Sequence, residues 1–284
     1  MNLLIFGQTG QVARELARRV PPGTTITQLG RAQADLANPA ACAAAIHTST
    51  AHAVINAAAY TAVDRAESDQ AAATMINATA PMAMAQACAA KAIPFLHIST
   101  DYVFDGAGSA PFQPDHPTGP LGAYGRSKLH GEHGIRAAHA NALILRTSWV
   151  FSAHGTNFLK TMLRLGRERP ALNVVADQIG GPTPAAAIAD ALYTCTAALL
   201  DGANGGTHHF AGTPNTSWAD FARAIMAAAH LSCTIQDIPS AAYPTAAQRP
   251  LNSRLDCTSL AQFGLQRPDW HAAIPQVLHD LEHS

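Results

Sequence analysis

The chain is predicted to be an α/β protein, a Rossmann-like doubly wound parallel sheet joined to a smaller mixed α/β substrate-binding lobe. Three observations predict it. Short apolar runs alternate with alanine-rich helical stretches through the first half, a glycine-containing turn links the first run to the first helix, and the regularity weakens after Arg146. Strand and helix taking turns means βαβ crossovers and parallel pairing.

In chain order, "NLLIF", "TITQL", "AVIN", "IPFLHIS" and "ALILR" read as strands. Between them lie helices at "QVARELARRV", from Pro39 onward, over the long stretch after "AVIN", and at "AYGRSK" onward. Asn38 before Pro39 is a cap and first-turn pair. The stretch 106–122, "GAGSAPFQPDHPTGPLG", is the clearest long loop. "DQIGGPTP" and "AGTPN" read as further loops, with helices near 184–200 and 217–230. Residues 1–150 are expected to form a dinucleotide-binding domain and 151–284 a sugar-nucleotide-binding lobe, with part of 171–200 open to a return to the first.

With 284 residues, 13% charged against the usual quarter or so, and a net charge of -1, no field favours nucleic acid or an anionic membrane. Small molecules are the expected partners. Cys42, Cys88, Cys195, Cys233 and Cys257 show no CxxC or zinc-ligand spacing, which fits reduced thiols and a cytoplasmic location. "MNLLIFGQTG" lacks a basic region before its short apolar run, so it reads as neither a signal peptide nor a membrane span.

"LLIFGQTGQVARELA" puts Gly7 and Gly10 at the first strand-to-helix turn, where a diphosphate can approach bare backbone at the positive end of a helix. Ala13 takes the place of the usual third glycine. A tight turn without a ligand is the plain alternative. After the second strand an NAD-preferring site carries an acidic residue for the ribose diol, whereas here Arg31 stands, suited to a 2′-phosphate. NADPH is therefore the expected cofactor, with NADH the alternative, and a solvated surface arginine is the competing reading of Arg31. Asp35 belongs either near the adenine or at the entry to the second helix. Ala57, Ala58 and Ala59 are small enough for a nucleotide to lie against, Thr61 adds a hydroxyl, and ordinary packing explains such alanines equally well.

"LHISTDYVFDG" sets Thr100 just past the fourth strand, at the sheet edge where open α/β folds bind ligands. Tyr124 and Lys128 share one face of the next helix at i and i+4. A free tyrosine is a poor acid at neutrality, and a nearby ammonium favours its phenolate. Glycine turn, hydroxyl and YxxxK in this order are jointly hard to explain as packing, and they suit hydride chemistry on a carbonyl.

These motifs, with "DLANP", "NAAAYTAVDRAE", "STDYVFDG", "YGRSKLHGE", "LRTSWVF", "DQIGGPT" and "RPLNSRLD", run over essentially the whole chain. The sequence resembles the short-chain dehydrogenases/reductases of the extended type. The resemblance implies that Gly10, Gln11, Val12, Asp35, Leu36, Ala59, Tyr60, Thr61, Ile98, Tyr124 and Lys128 touch the cofactor. It also implies that Thr100, Asp101, Tyr102 and Trp149 meet a sugar nucleotide. Asn157, Gln178, Arg249 and Arg254 are candidates for holding the nucleotide and its diphosphate. The implied reaction is NADPH-dependent reduction of the C4 ketone of dTDP-4-dehydro-L-rhamnose, with the proton from Tyr124.

Some members of that family dimerise around a magnesium ion held by glutamates. Glu15 stands at one matching position, but Ala185 and Ala186 occupy another, so no metal is expected and both monomer and homodimer stay open. Two rival readings are a nucleotide-sugar epimerase or dehydratase and a non-catalytic NADP-binding regulatory subunit. Thr100-Asp101-Tyr102 lacks the Asp-Glu pair of a dehydratase, and the intact Thr100, Tyr124 and Lys128 favour an enzyme.

Overall fold

The computed structural model describes residues 1–283. The first half builds β1 (Asn2–Phe6), α1 (Gln11–Arg18), β2 (Thr25–Leu29), α2 (Pro39–Thr48) and β3 (Ala53–Asn56). Then come α3 (Val63–Ala66), α4 (Gln70–Thr74), α5 (Ala80–Ala90), β4 (Phe95–Thr100), α6 (Ala123–Ala138) and β5 (Leu143–Thr147). Asn38 caps α2 by accepting from the Ala41 N–H, with Pro39 in the first turn. The long helical stretch after β3 is broken, because a π-helical turn at Met75–Thr79 joins α4 to α5.

The second half begins with β6 (Val150–Phe151), α7 (Phe158–Glu168), β7 (Ala171–Val175), β8 (Ile179–Gly180), β9 (Thr183–Pro184) and α8 (Ala185–Leu200). It continues through β10 (Gly206–His209), β11 (Thr216–Ser217), α9 (Trp218–Ala228), β12 (Thr234–Ile238), β13 (Asn252–Ser253) and α10 (Trp270–Glu282). The "DQIGGPTP" stretch read as a loop contains β8 and β9, two-residue strands that pair with distant partners. Strands this short carry no periodic signal.

The large sheet has the order β2-β1-β3-β4-β5-β10, and every pair in it is parallel. Its central strands β1, β3, β4 and β5 are buried on both faces, which is why they read as apolar runs, whereas edge strand β2 is partly exposed. Leu3 and Ile5 of β1 pack with Leu16 of α1 and Ile188 and Leu192 of α8. Leu4 and Phe6 point the other way, into a cluster with Ile46, Met84 and Ile135. Because strand order reverses between β1 and β3, a crevice opens at the carboxyl ends of those strands.

The smaller lobe is built on the parallel pair β7–β12, with Leu159 of α7, Phe221 of α9 and Trp270 of α10 in one core. The two halves interleave. Helix α8 and edge strand β10 belong to the large sheet's layers, as do Leu255, Leu260 and Phe263. Among the described residues no helix is long and apolar enough to cross a membrane, and all five cysteines are free and buried.

Candidate active site

A cavity of about 870 Å³ runs along the carboxyl ends of the sheet and under the small lobe. Its first wall is the β1–α1 turn, lined by Gly7, Gly10, Gln11 and Val12. Gly7 has φ 119, a left-handed backbone that favours glycine, and a Cβ there would sit 3.3 Å from Ala57 and from the Ala13 methyl. Gly10 caps α1 with no side-chain hydrogen bond, so the first-turn N–H groups are left for something else. Further along, Arg31, Asp35 and Leu36 line the far end, followed by Ala57, Ala58, Ala59, Tyr60 and Thr61. Arg31 is 83% exposed at its side chain, 3.9 Å from the Asp35 carboxylate. Asp35 also accepts from the Ala37 N–H in the turn that leads into α2.

The opposite wall is α6, which carries Tyr124 in its first turn. Gly122 at the cap position offers no side chain, and Glu67 supplies one from α3's end: its carboxylate accepts from the Ala123 N–H at 2.8 Å. Gly125 lets the helix approach the segment after β4, since a Cβ there would fall 2.2 Å from the Tyr102 carbonyl. Asn77, in the π-helical turn, accepts from the Tyr60 N–H, donates to the Tyr60 carbonyl and donates to Ser127 Oγ. Thus the cavity-lining loop after β3 and α6 are tied together by one buried amide. Deeper in, Glu132 and Arg146 form a buried pair at 2.6 Å, joined by Ser99 Oγ at 2.6 Å, which welds α6 to β4 and β5.

Thr100, Asp101, Tyr102, Tyr124, Lys128 and Ile98 line the same cavity. Burial pushes the Tyr124 phenol well above its ordinary value, against the smaller downward pull of the adjacent Thr100 hydroxyl, so it holds its proton at neutral pH. Burial pulls Lys128 down to about 8, opposed by Glu132. The lysine Nζ donates to the Ile98 carbonyl at 2.7 Å and lies 2.9 Å from His97 Nε2. The dominant influence on Tyr124 is therefore desolvation rather than the acidifying ammonium that the i, i+4 spacing suggested. Asp101 is 3% exposed and burial raises its carboxyl to about 6, with the Ser253 and Thr100 hydroxyls holding it back. Thr100 Oγ1 donates to Asp101 Oδ1 at 3.0 Å, while Oδ2 has no partner of hydrogen-bond geometry.

The small lobe closes the cavity with Trp149, whose φ of 50 is uncommon for a bulky residue. Its indole stacks on Trp218 at 3.6 Å and 12°, with Gly180 close beneath it.

The whole of residues 1–283 matches the family model described as RmlD substrate binding domain. The chain belongs to the RmlD family. A dTDP-4-dehydrorhamnose reductase of Burkholderia thailandensis is 44% identical, covering 99% of each chain. A crystal structure of a dTDP-4-dehydrorhamnose reductase from Clostridium acetobutylicum superposes with a TM-score of 0.93 at 30% identity, over 99% of this chain and 100% of that one. Another, from Bacillus anthracis and in complex with NADP, gives 0.92 at 32% identity, over 98% and 99%.

Against this RmlD frame, four residues chosen from the sequence do something other than present free polar atoms to the cavity. Asn157 lines it, but its amide donates to Gln11 Oε1 and to the Ser152 carbonyl, and its oxygen caps α7. Gln178 lies behind the indoles, accepting from Trp218 Nε1 and donating to Ser240 Oγ. Arg249 is paired with Asp64 at 2.6 Å, and Arg254 bonds to Asn252 Oδ1. Neither arginine lines the cavity. Two positions in this RmlD-family chain escaped sequence reasoning: His97 and Trp218. An isolated His or Trp carries no pattern, and only chain packing brings these beside the site. Glu15 faces Arg18 and His154, and no group of three or more His, Cys, Asp or Glu that could hold a metal is found among the described residues.

Proposed function

We propose that the protein is an NADPH-dependent oxidoreductase that converts dTDP-4-dehydro-L-rhamnose to dTDP-L-rhamnose by reducing the C4 ketone. The observation that carries this reading is that Thr100, Tyr124 and Lys128 share one cavity with a glycine-lined helix start, in a chain spanning the full length of reductases so named. The cavity fits a nicotinamide dinucleotide by its own geometry. A Cβ at Gly10 would project into it with only the Ala57 carbonyl nearby, at 3.9 Å, so the absent side chain leaves room at the positive end of α1. Arg31 at the far end meets the 2′-phosphate, and the small residues Ala57 to Ala59 let the nucleotide lie close.

When bound, NADPH supplies the hydride to C4. Tyr124, kept protonated by burial, gives its proton to the carbonyl oxygen as charge develops there. Thr100 orients that oxygen, and Lys128 hydrogen-bonds the nicotinamide ribose. Asp101, Tyr102 and Trp149 bound the sugar at the seam between the lobes. In this division residues 1–150, with α8 and β10 returned to the large sheet, hold the dinucleotide and the reacting centre, and the rest of 151–284 covers the sugar nucleotide. The unpaired buried cysteines support a cytoplasmic setting, with the chain acting as a monomer or homodimer.

The test is to mix purified protein, NADPH and dTDP-4-dehydro-L-rhamnose, follow reduced-nicotinamide absorbance, and read the C4 stereochemistry of the product by NMR. Stoichiometric loss of absorbance with L-rhamnose formed supports the reading. NADPH binding without turnover points to a regulatory NADP-binding subunit instead.

A further inference from the structure

Lys128 is held from behind by two side chains that do not touch the cavity. Ala58 N–H donates to Asn56 Oδ1 at 3.1 Å, and Asn56 Nδ2 lies 3.1 Å from His97 Nδ1. His97 Nε2 lies 2.9 Å from Lys128 Nζ, which also donates to the Ile98 carbonyl at 2.7 Å. Asn56, His97 and Lys128 are all buried, with His97 fully so.

The directions of these bonds follow from what each atom can do. A backbone N–H only donates, so the Asn56 oxygen must face Ala58 and its NH₂ must face His97. His97 Nδ1 is then an acceptor. Burial holds the imidazole far below its ordinary value, so the ring is neutral and its single proton sits on Nε2, pointing at Nζ. An ammonium at that point would set N–H against N–H. A neutral amine has a lone pair to accept from Nε2–H, one N–H for the Ile98 carbonyl, and one N–H left toward the cavity.

We infer that Asn56 and His97 are positioning residues that keep Lys128 as an uncharged amine in mildly alkaline solution until the dinucleotide binds, and that binding there is accompanied by uptake of a proton at Nζ. Only the cofactor's identity rests on the reading of the site given above. The proton comes from the buffer acid, and the only bond formed is N–H. The surroundings of Nζ agree. On its own helix Glu132 is already paired with Arg146 of β5 and with Ser99 of β4, and Tyr124 is protonated. Asp101, after β4, is the unpaired carboxylate of this cavity, but it is not among the groups that act on Lys128, where Glu132 alone opposes burial. The anion nearest to charging the lysine beforehand is thus already paired with Arg146. The phosphates of a dinucleotide bring negative charge into the same cavity and favour the ammonium, which then turns from His97 toward the ribose hydroxyls.

Calorimetric titration of NADPH at pH 8.5 in two buffers of unlike ionisation heat reads the proton directly. Well over half a proton per NADPH is expected for the wild type, less at pH 7, and none for Lys128→Met. His97→Gln presents an amide oxygen to Nζ, so Lys128 is charged beforehand and uptake is lost while NADPH still binds. ¹⁵N NMR of His97 in the protein without NADPH is independent of the cofactor and of any variant's folding. A proton on Nε2 is expected, and one on Nδ1 overturns the inference. NADPH binding without proton uptake in the wild type, or equal uptake in Lys128→Met, also overturns it. Absence of any NADPH binding counts instead against the proposed function, and the tautomer still decides the relay.

Discussion

Asp101→Asn tests whether the cavity carries an uncompensated charge. The carboxyl is buried, lacks a cationic partner within bonding distance, and has its value raised from 3.8 to about 6, burial being the main cause. Because the folded state binds the proton more tightly than the unfolded chain, the carboxylate's cost is present in full above pH 6 and absent below 3.8. A shift of about 2 units at about 1.4 kcal/mol per unit sets that cost at about 3 kcal/mol at pH 7.5, falling to about half by pH 5. Asparagine removes the charge and keeps an oxygen for the Thr100 hydroxyl, but its NH₂ needs a partner of its own, which costs about 1 kcal/mol or more. The variant should therefore gain about 1–2 kcal/mol at pH 7.5, a rise of roughly 2–8 °C in Tm for a chain of this size. Calorimetric unfolding at pH 7.5 and pH 5 reads both the gain and its decline. A variant that is less stable at pH 7.5, or whose gain does not shrink on acidification, refutes the assignment of a strained carboxylate. Turnover of dTDP-4-dehydro-L-rhamnose should fall in the same variant, because the proposed site sets that charge against the sugar.

Three further outcomes follow from the site. Tyr124→Phe should lower turnover about 10²-fold or more, the range for removing a positioned acid, with NADPH affinity nearly unchanged; near-normal turnover removes the phenol from the mechanism. Gly10→Val should abolish NADPH binding while leaving Tm close to wild type, since the new side chain enters open cavity rather than packed atoms; retained binding shows that the helix start does not cradle the diphosphate. Arg31→Asp should move the ratio of kcat/KM values from NADPH toward NADH, and an unchanged ratio shows that Arg31 does not read the 2′-phosphate.

Periodic features were legible in the amino-acid order because their causes are local. The central strands of the large sheet are apolar runs buried on both faces, Asn38-Pro39 starts a helix by its own hydrogen bond, and YxxxK needs only helical geometry to align its two side chains. Gly7 and Gly10 were readable for a similar reason, as the turn they form lies within a few residues of each. Thr183 and Ile179, by contrast, sit in strands too short to have a period, and their pairing depends on Val150, Ser217 and Asn252 far along the chain. Gln178 and Arg249 have the right chemistry for a nucleotide, yet packing gives them to Trp218 and Asp64.

By itself, then, the sequence determined the doubly wound architecture, the glycine turn and the hydroxyl, phenol and amine of the centre, since backbone propensity and helical spacing act over a few residues. Tertiary structure alone decided the proton state of those groups. Burial sets how tightly the phenol and the amine hold their protons, with His97, itself held by Asn56, meeting Lys128 from β4 and Glu67 and Asn77 fixing the helix that carries both, and desolvation is a property of the folded surroundings that no local pattern encodes.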